Sequence, residues 1–341
     1  MNVDASTLVL GIETSCDETA AALVMGGNDV ISSVVSSQIE IHADFGGVVP
    51  EIASRAHLES LNPVIARAMV EAGVDDERID AVACTYGPGL IGALLIGVSA
   101  AKALALAWDV PFVAVNHLEA HLYAAFLEDP TLEFPLVVLL VSGGHTMLIE
   151  MQDHGRYRML GQTIDDAAGE AFDKVARFLE LGYPGGPAID AAAINGDPDH
   201  VRFPRAMSDD PDNLDFSFSG LKTAVVNYVR KHPDVSSADV AASFQMAVVD
   251  VLVTKTRRAA QRIGAKGIVL GGGVAANSLL REELLGVCAA DGVRGFLPSR
   301  AMCTDNAAMI AAAGWYRLAS DGPSPLDTGA MPNLRLPLMN A

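Results

Sequence analysis

The chain has 341 residues, 50% of them hydrophobic and 19% charged, with a formal net charge of −19. That supplies apolar material for two sizeable cores, while so acidic a balance opposes autonomous binding to nucleic acid, whose affinity rests on neutralising phosphates. No apolar run reaches the roughly 18 uncharged residues of a membrane span; the longest candidate, residues 90–108, carries Lys102 and reads as a buried helix.

The start, Met1-Asn2-Val3-Asp4, lacks the basic opening of a signal peptide, and a cytoplasmic location is expected. Cys16, Cys84, Cys288 and Cys303 form no C-x-x-C and sit in or beside apolar segments, which predicts reduced, packed thiols. Residues 7–12 predict a strand, 13–18 a polar turn, and 19–25 and 30–36 two further strands across the turn at 26–29. A loop with Gly46 and Gly47 leads to a helix over about 50–72. A charged turn at 75–78, a strand at 81–85, a tight Gly87-Pro88-Gly89 turn and a helix over 91–107 follow.

The run 110–115 is β-like, and Asn116 then opens a helical pattern whose buried stripe is Leu118, Leu122, Ala125 and Phe126. His117 and His121 project from one face, one turn apart. Two neutral imidazoles at that spacing can share a divalent metal, provided a remote carboxylate completes the set; two unrelated helix residues are the plain alternative. Glu119 is misplaced for an H-E-x-x-H base, and with Asn116 it reads as an N-cap and capping-box pair.

Glu128-Asp129-Pro130 and Pro135 mark a boundary. Expected on this reading are an N-terminal lobe, 1–130, completed by a C-terminal helix at about 305–330, and a C-terminal lobe, 131–304. The second half repeats the opening: a strand at 136–141, the turn Ser142-Gly143-Gly144, a return strand at 145–150 and a third at 156–160. Helices are expected at about 169–181, 188–194, 220–230 and 238–263, with 196–218 a long loop. A strand at 267–270, the glycines 271–273, a helix over 277–289, a strand at 293–297 and a last helix over 305–318 complete it. The basic clusters Arg202 with Arg205, Arg230-Lys231, and Arg257-Arg258 with Arg262 and Lys266 read as solvated faces.

Each half thus begins with a β-turn-β unit. The architecture predicted is α/β, a two-lobed, duplicated, actin-like fold of the Hsp70/sugar-kinase (ASKHA) kind, in which turn amides approach phosphates as an anion-binding concavity. Gly143 and Gly144 leave the backbone open to a ligand, though an ordinary hairpin turn has the same composition. Residues 271–277 join a strand to a helix, where exposed N–H groups favour anions. They also match G-x-G-x-x-A, but no acid ends the next strand, so a dinucleotide site is rejected. A G-x-x-x-x-G-K-[ST] loop is absent. Asp305 either answers the dipole of the last helix or, where that helix returns to the first lobe, meets His117 and His121 as a third ligand suited to Zn²⁺ or Fe²⁺. The acids of 165–174 read in part as caps; Asp173, one turn in, and Asp190, after Gly185-Gly186-Pro187, can accept ribose hydroxyls or lie at the surface.

LGIETSCDET at 10–19, HLEAH at 117–121, LVSGGHT at 140–146, DDAAGEAFDK at 165–174, YPGGP at 183–187, DFSFSGLKT at 215–223, GGVAAN at 272–277 and CTDN at 303–306 together resemble the TsaD (Gcp/YgjD) family, in order and over nearly the whole chain. The resemblance implies an actin-like fold. It also implies transfer of a threonylcarbamoyl group from threonylcarbamoyl-AMP to N6 of adenosine 37 in tRNAs reading codons that begin with A. It implies a metal, iron(II) before zinc, on His117, His121 and Asp305, and contacts to the nucleotide-bearing substrate from Leu140, Val141, Ser142, Gly143, Gly144, Asp173, Gly186, Asp190 and Asn277. The partners implied are tRNA, a small paralogous TsaB-like subunit and a TsaE-like ATPase subunit, with no membrane. Ala120 stands where the family usually has Gly, at a non-ligand position where Ala is the better helix former. Leu140 agrees with the bacterial type. The rival readings are a metallopeptidase, an old label of this family, an ATP-hydrolysing protein of the same fold and a nucleotide-sensing scaffold.

Overall fold

The computed structural model describes residues 3–339; Met1 and Asn2, read above for a signal sequence, lie outside them. The chain forms two compact units, one from the chain up to Leu132 with Thr304–Pro337, the other from Glu133–Cys303 with the residues from Leu338 on.

In the first unit β1 (Leu8–Glu13), β2 (Glu18–Met25) and β3 (Asp29–Ser37) form an antiparallel meander, followed by α1 (Ile39–Ala43) and α2 (Pro50–Ala72). Then come β4 (Ala81–Gly87), α3 (Ile91–Ala107), β5 (Phe112–Asn116) and α4 (His117–Glu128). The sheet order is β3-β2-β1-β4-β5, with β1, β4 and β5 parallel.

The second unit repeats the plan with β6 (Leu136–Val141), β7 (Thr146–Asp153) and β8 (Arg156–Gln162), then α5 (Ala168–Phe178), α6 (Gly185–Ala193), α7 (Ser219–Lys231) and α8 (Ser237–Ile263). It continues with β9 (Gly267–Gly271), α9 (Ser278–Asp291), β10 (Arg294–Phe296) and α10 (Arg300–Cys303). Its sheet runs β10-β9-β6-β7-β8, the same order read from the other edge. The last helix, α11 (Ala307–Asp321), belongs to the first unit.

Strand alternation sorts the faces of the first sheet. Leu8, Leu10 and Ile12 join Leu61, Val64, Ile65 and Val98, from α2 and α3, in one core. Gly11, of opposite parity, faces α11: a Cβ there would lie 2.2 Å from the Ala307 carbonyl. Only a residue without a side chain lets helix and strand approach this closely. Glu13 shares that parity and so points to the α11 side of the sheet.

The short α1 lies in a stretch read as loop. Its five residues are too few for periodicity; Gln38 and His42 hold it through a buried bond of 3.2 Å. The loop 196–218 is pinned rather than loose. Lys255, fully buried on α8, donates to the carbonyls of Met207 and Asn213 at 2.9 Å and of Asp215 at 2.5 Å. By length and composition α8 could cross a membrane, but its apolar window is 67% buried within the second unit.

Several acids and cations read as caps or solvated groups join distant segments instead. Asp165 does not cap α5; it accepts from the Phe218 amide (2.9 Å) and the Ser217 and Ser219 hydroxyls at the start of α7. Asp166 pairs with Lys174 (3.1 Å) and Lys222 (3.2 Å). Of the basic clusters, Arg205 holds Asp250, Arg257 holds Asp291, Arg262 holds Asp212 and Lys266 holds Glu133. All four cysteines are free thiols, three of them buried.

Candidate functional site

The parallel strands β1, β4 and β5 of the first unit carry polar residues at or near their carboxyl ends, Glu13, Thr85 and Asn116, and the carboxyl ends of parallel strands are where ligands settle in α/β sheets. Asn116 caps α4 with its side-chain oxygen, accepting from the amides of Leu118 (2.9 Å) and Glu119 (3.3 Å), and its Nδ2 donates to the Arg335 carbonyl. This cap fixes where the first turn of α4 begins, and so where His117 and His121 stand. Nearly the whole of α4 is buried, not the single stripe that spacing suggested. Glu119 is buried too, its carboxylate accepting from Arg317 of α11 at 2.6 Å.

Asp305 lies outside α11. Asn306 is the N-cap, accepting from the Met309 amide, so Asp305 is released from capping and turns to the imidazoles. Its Oδ1 is 3.5 Å from His117 Nε2 and 3.3 Å from His121 Nε2. These three donor atoms lie within 4.8 Å of one another and form the single such His/Cys/Asp/Glu group among the described residues. The two rings meet edge to face, centroids 4.8 Å apart.

Both ring nitrogens of His121 are buried without a hydrogen-bond partner. A buried imidazole in that condition lacks compensation for its lost hydration, and a cation among two nitrogens and a carboxylate oxygen would provide it. The donor set suits a divalent ion with open positions.

A further group was not anticipated. Glu13, fully buried, accepts from His117 Nδ1 at 3.0 Å, from Thr85 Oγ1 at 2.5 Å and from the Ser15 amide. The only sequence signal for it is a lone acid ending an otherwise apolar strand. Burial opposes charge on all these groups, but they offset one another. The carboxylates of Asp305 and Glu13 hold the His117 imidazolium well above its ordinary range, against burial. Asp305 is pulled far below the usual carboxylate range against the same burial, by His117 first and then His121. Burial likewise opposes ionisation of Glu13, yet His117 keeps its carboxyl low. Such a pocket is built around positive charge.

The second unit gathers the remaining candidates at the matching ends of β6 and β9. Leu140 and Val141 are fully buried in β6, so only their backbone is available to a ligand. Gly143 and Gly144 are exposed, with open space where a Cβ would stand. Among the described residues their N–H groups have no backbone acceptor. Gly169, opening α5, and Gly272, after β9, come so close to this turn that a Cβ on either would lie 2.5 Å from the carbonyls of Ser142 and Val141 respectively.

Asp173 accepts from the Gly185 amide at 2.8 Å, fastening α6 to α5, and Gly186 beside it has open space at its Cα. Asp190 accepts from the Ser278 hydroxyl (2.7 Å) and amide (3.2 Å). Asn277 caps α9 through the Leu280 amide and donates to Gln245 at 2.9 Å. Asp190 and Asn277 thus hold the start of α9, a role that spacing did not disclose.

The family model described as tRNA N6-adenosine threonylcarbamoyltransferase (TsaD) matches residues 29–312. The tRNA N6-adenosine threonylcarbamoyltransferase of Symbiobacterium thermophilum is 57% identical over 96% of this chain and 97% of its own length. That of Caldicellulosiruptor saccharolyticus is 54% identical over 96% and 98%. Among solved structures, HypF of T. kodakarensis superimposes with a TM-score of 0.64 at 14% identity, covering 93% of this chain and 49% of that one. Component A of the Acidaminococcus fermentans (R)-2-hydroxyglutaryl-CoA dehydratase gives a TM-score of 0.56 at 16% identity, covering 92% and 100%. These likenesses show the actin-like fold expected from the sequence. By its sequence along nearly its whole length, the chain belongs to the TsaD family of tRNA N6-adenosine threonylcarbamoyltransferases.

Proposed function

We propose that this chain transfers the threonylcarbamoyl group of threonylcarbamoyl-AMP to N6 of adenosine 37 in tRNAs that read codons beginning with A. Family membership supports the reaction class. The observation that carries the reading of the site is the approach of Asp305 Oδ1 to Nε2 of both His117 and His121, whose own nitrogens are otherwise unpartnered in the case of His121.

His117, His121 and Asp305 would hold one divalent ion per chain, iron(II) before zinc. Such an ion, when bound, supplies Lewis acidity toward a carbonyl of the transferred group. The chain's own residues do the rest. The N–H groups of Gly143 and Gly144 receive the AMP phosphate and hold it as the leaving group, while the Ser142 amide, bonded to the His145 carbonyl at 2.8 Å, shapes the turn that presents them. Leu140 and Val141 contribute through their backbone. Asp173, Gly186, Asp190 and Asn277 meet the nucleotide-bearing part, the bonds of Asp190 and Asn277 to the start of α9 keeping that surface rigid. The adenosine amine is a weak nucleophile, so orientation carries much of the rate.

The 1–130 and 131–304 division read from the sequence assigns the metal to one lobe and the nucleotide contacts to the other. Of the 23 Lys and Arg, only Arg55, Arg67, Arg78, Lys102, Arg317 and Arg335 lie in the first unit. The phosphates of tRNA are therefore expected against the second unit or a partner. The partners are a small paralogous TsaB-like subunit and a TsaE-like ATPase, a separate synthase makes the intermediate, and the reaction belongs in the cytoplasm.

The test is to incubate the purified chain and its partners with threonylcarbamoyl-AMP and unmodified tRNA, then analyse the nucleosides. Threonylcarbamoyladenosine is expected. Unmodified tRNA, or cleavage of a glycoprotein by the pure chain, would overturn the reading. A peptidase is disfavoured because Glu119, the acid nearest in sequence to the imidazoles, is engaged by Arg317.

A further inference from the structure

We propose that Glu13 is a positioning residue for the metal centre: its carboxylate accepts a hydrogen bond from Nδ1–H of His117, keeping the proton on that nitrogen, and so commits the Nε2 lone pair of the ring to the ion.

Glu13 is fully buried, and among the described residues no lysine or arginine is bonded to it; the bonds it accepts come from three separate elements of the first unit. Oε1 takes the Ser15 amide in the β1–β2 turn. Oε2 takes the Thr85 hydroxyl at the end of β4 (2.5 Å) and His117 Nδ1 at the start of α4 (3.0 Å). Ser15 Oγ stands a further 3.3 Å from the same Nδ1. A carboxylate has no proton to give, so Nδ1 must be the donor. When the ring is neutral it is therefore the Nδ1–H tautomer, and the lone pair lies on Nε2, 3.5 Å from Asp305 Oδ1 and on the side where an ion would sit.

A ring nitrogen that holds a metal needs its partner nitrogen fixed in this way, and a carboxylate behind the imidazole also raises its basicity. The asymmetry of the pair is informative. His121 has no hydrogen bond at either nitrogen, and its ring is set edge to face against His117. Glu13 therefore orients one ring directly and the other through it.

The inference rests on the metal reading above, and the test separates the two. Zinc affinity of the full chain is measured by competition with a chromophoric chelator for the wild type, His121→Ala, Glu13→Gln and Thr85→Val, with circular dichroism confirming the fold. Gln is nearly isosteric, but its amide must either aim N–H at the Ser15 amide or aim N–H at Nδ1 and force the wrong tautomer. Glu13→Gln is expected to weaken zinc about 10- to 100-fold. Thr85→Val removes one of the donors that aim the carboxylate, leaves every ligand intact, and is expected to weaken zinc by a smaller factor. In the zinc-loaded wild type labelled with ¹⁵N-histidine, one ring keeps a slowly exchanging Nδ1 proton bonded to carboxylate; Glu13→Gln loses that signature.

If the wild type binds no better than His121→Ala, the metal reading fails and the inference falls with it. If the wild type binds through the triad and folded Glu13→Gln binds equally well with the same Nδ1 signal, the metal reading stands and the inference is wrong.

Discussion

Glu18 shows what happens to a half-buried carboxylate for which no full set of donors is built. Ser37 donates to its Oε1 at 3.0 Å, while Oε2 is buried without a partner. Burial first, and the neighbouring Asp17 second, push its carboxyl up to about 8. Its folded pKa lies above the unfolded one, so the folded state holds a proton that the unfolded state has released. Stability is therefore greatest below the unfolded value and falls as pH rises to about 8. Glu18→Gln, which mimics the protonated form, should match the wild type in thermal unfolding at pH 4.5 and exceed it increasingly up to pH 8.5; a constant difference across that range would refute this. Glu13, one strand-end away, is the opposite case, held ionised by His117. The sequence revealed that His117 and His121 share a helix face, because four-residue spacing is local. It gave no sign that Glu13 joins them, because that bond spans 104 positions and follows only from the parity of β1.

Among the elements, α2 and α3 begin and end where periodicity placed them, since each has a long apolar face and clear breakers. The last helix begins two residues later than expected, because Asn306 takes the cap and leaves Asp305 to the imidazoles. Capping competition between adjacent Asp and Asn is not resolvable from composition. The close seating of α11 on β1 gives a direct prediction. Gly11→Ala puts a methyl against the Ala307 and Ala311 backbone, and overpacking of this kind costs about 1–3 kcal/mol or more. A lower urea midpoint, with Asp305 displaced, should follow; a wild-type midpoint would show that the helix yields freely. Asn116→Ala removes the cap of α4 and should cost about 1 kcal/mol, together with a share of metal affinity, because the first turn carries His117.

At the scale of the whole molecule, the shared sheet order of the two units was foreshadowed by a β-turn-β opening in each half. The devices that hold the loops were not. The pinning of residues 207–215 by Lys255 is invisible in sequence, where a lysine in a long helix reads as solvated. Lys255→Met strands three carbonyls in the interior. It should destabilise the chain by about 3 kcal/mol, read as a fall in the chemical-denaturation midpoint. A neutral outcome would mean that water replaces the ammonium. The same logic explains why most of the cations counted as surface charge are bound to carboxylates or carbonyls of distant segments.

The claim on which the account turns is that His117, His121 and Asp305 together hold an ion that the transfer to tRNA requires. It is tested by measuring threonylcarbamoyladenosine formed from threonylcarbamoyl-AMP and unmodified tRNA, with the partners present, before chelation, after it, and after iron(II) or zinc is restored. The account predicts that modification disappears on chelation, returns with the ion in the wild-type chain, and does not return in a folded His117→Ala, His121→Ala chain. Full modification by the metal-free wild type, or by the folded double variant, would contradict it.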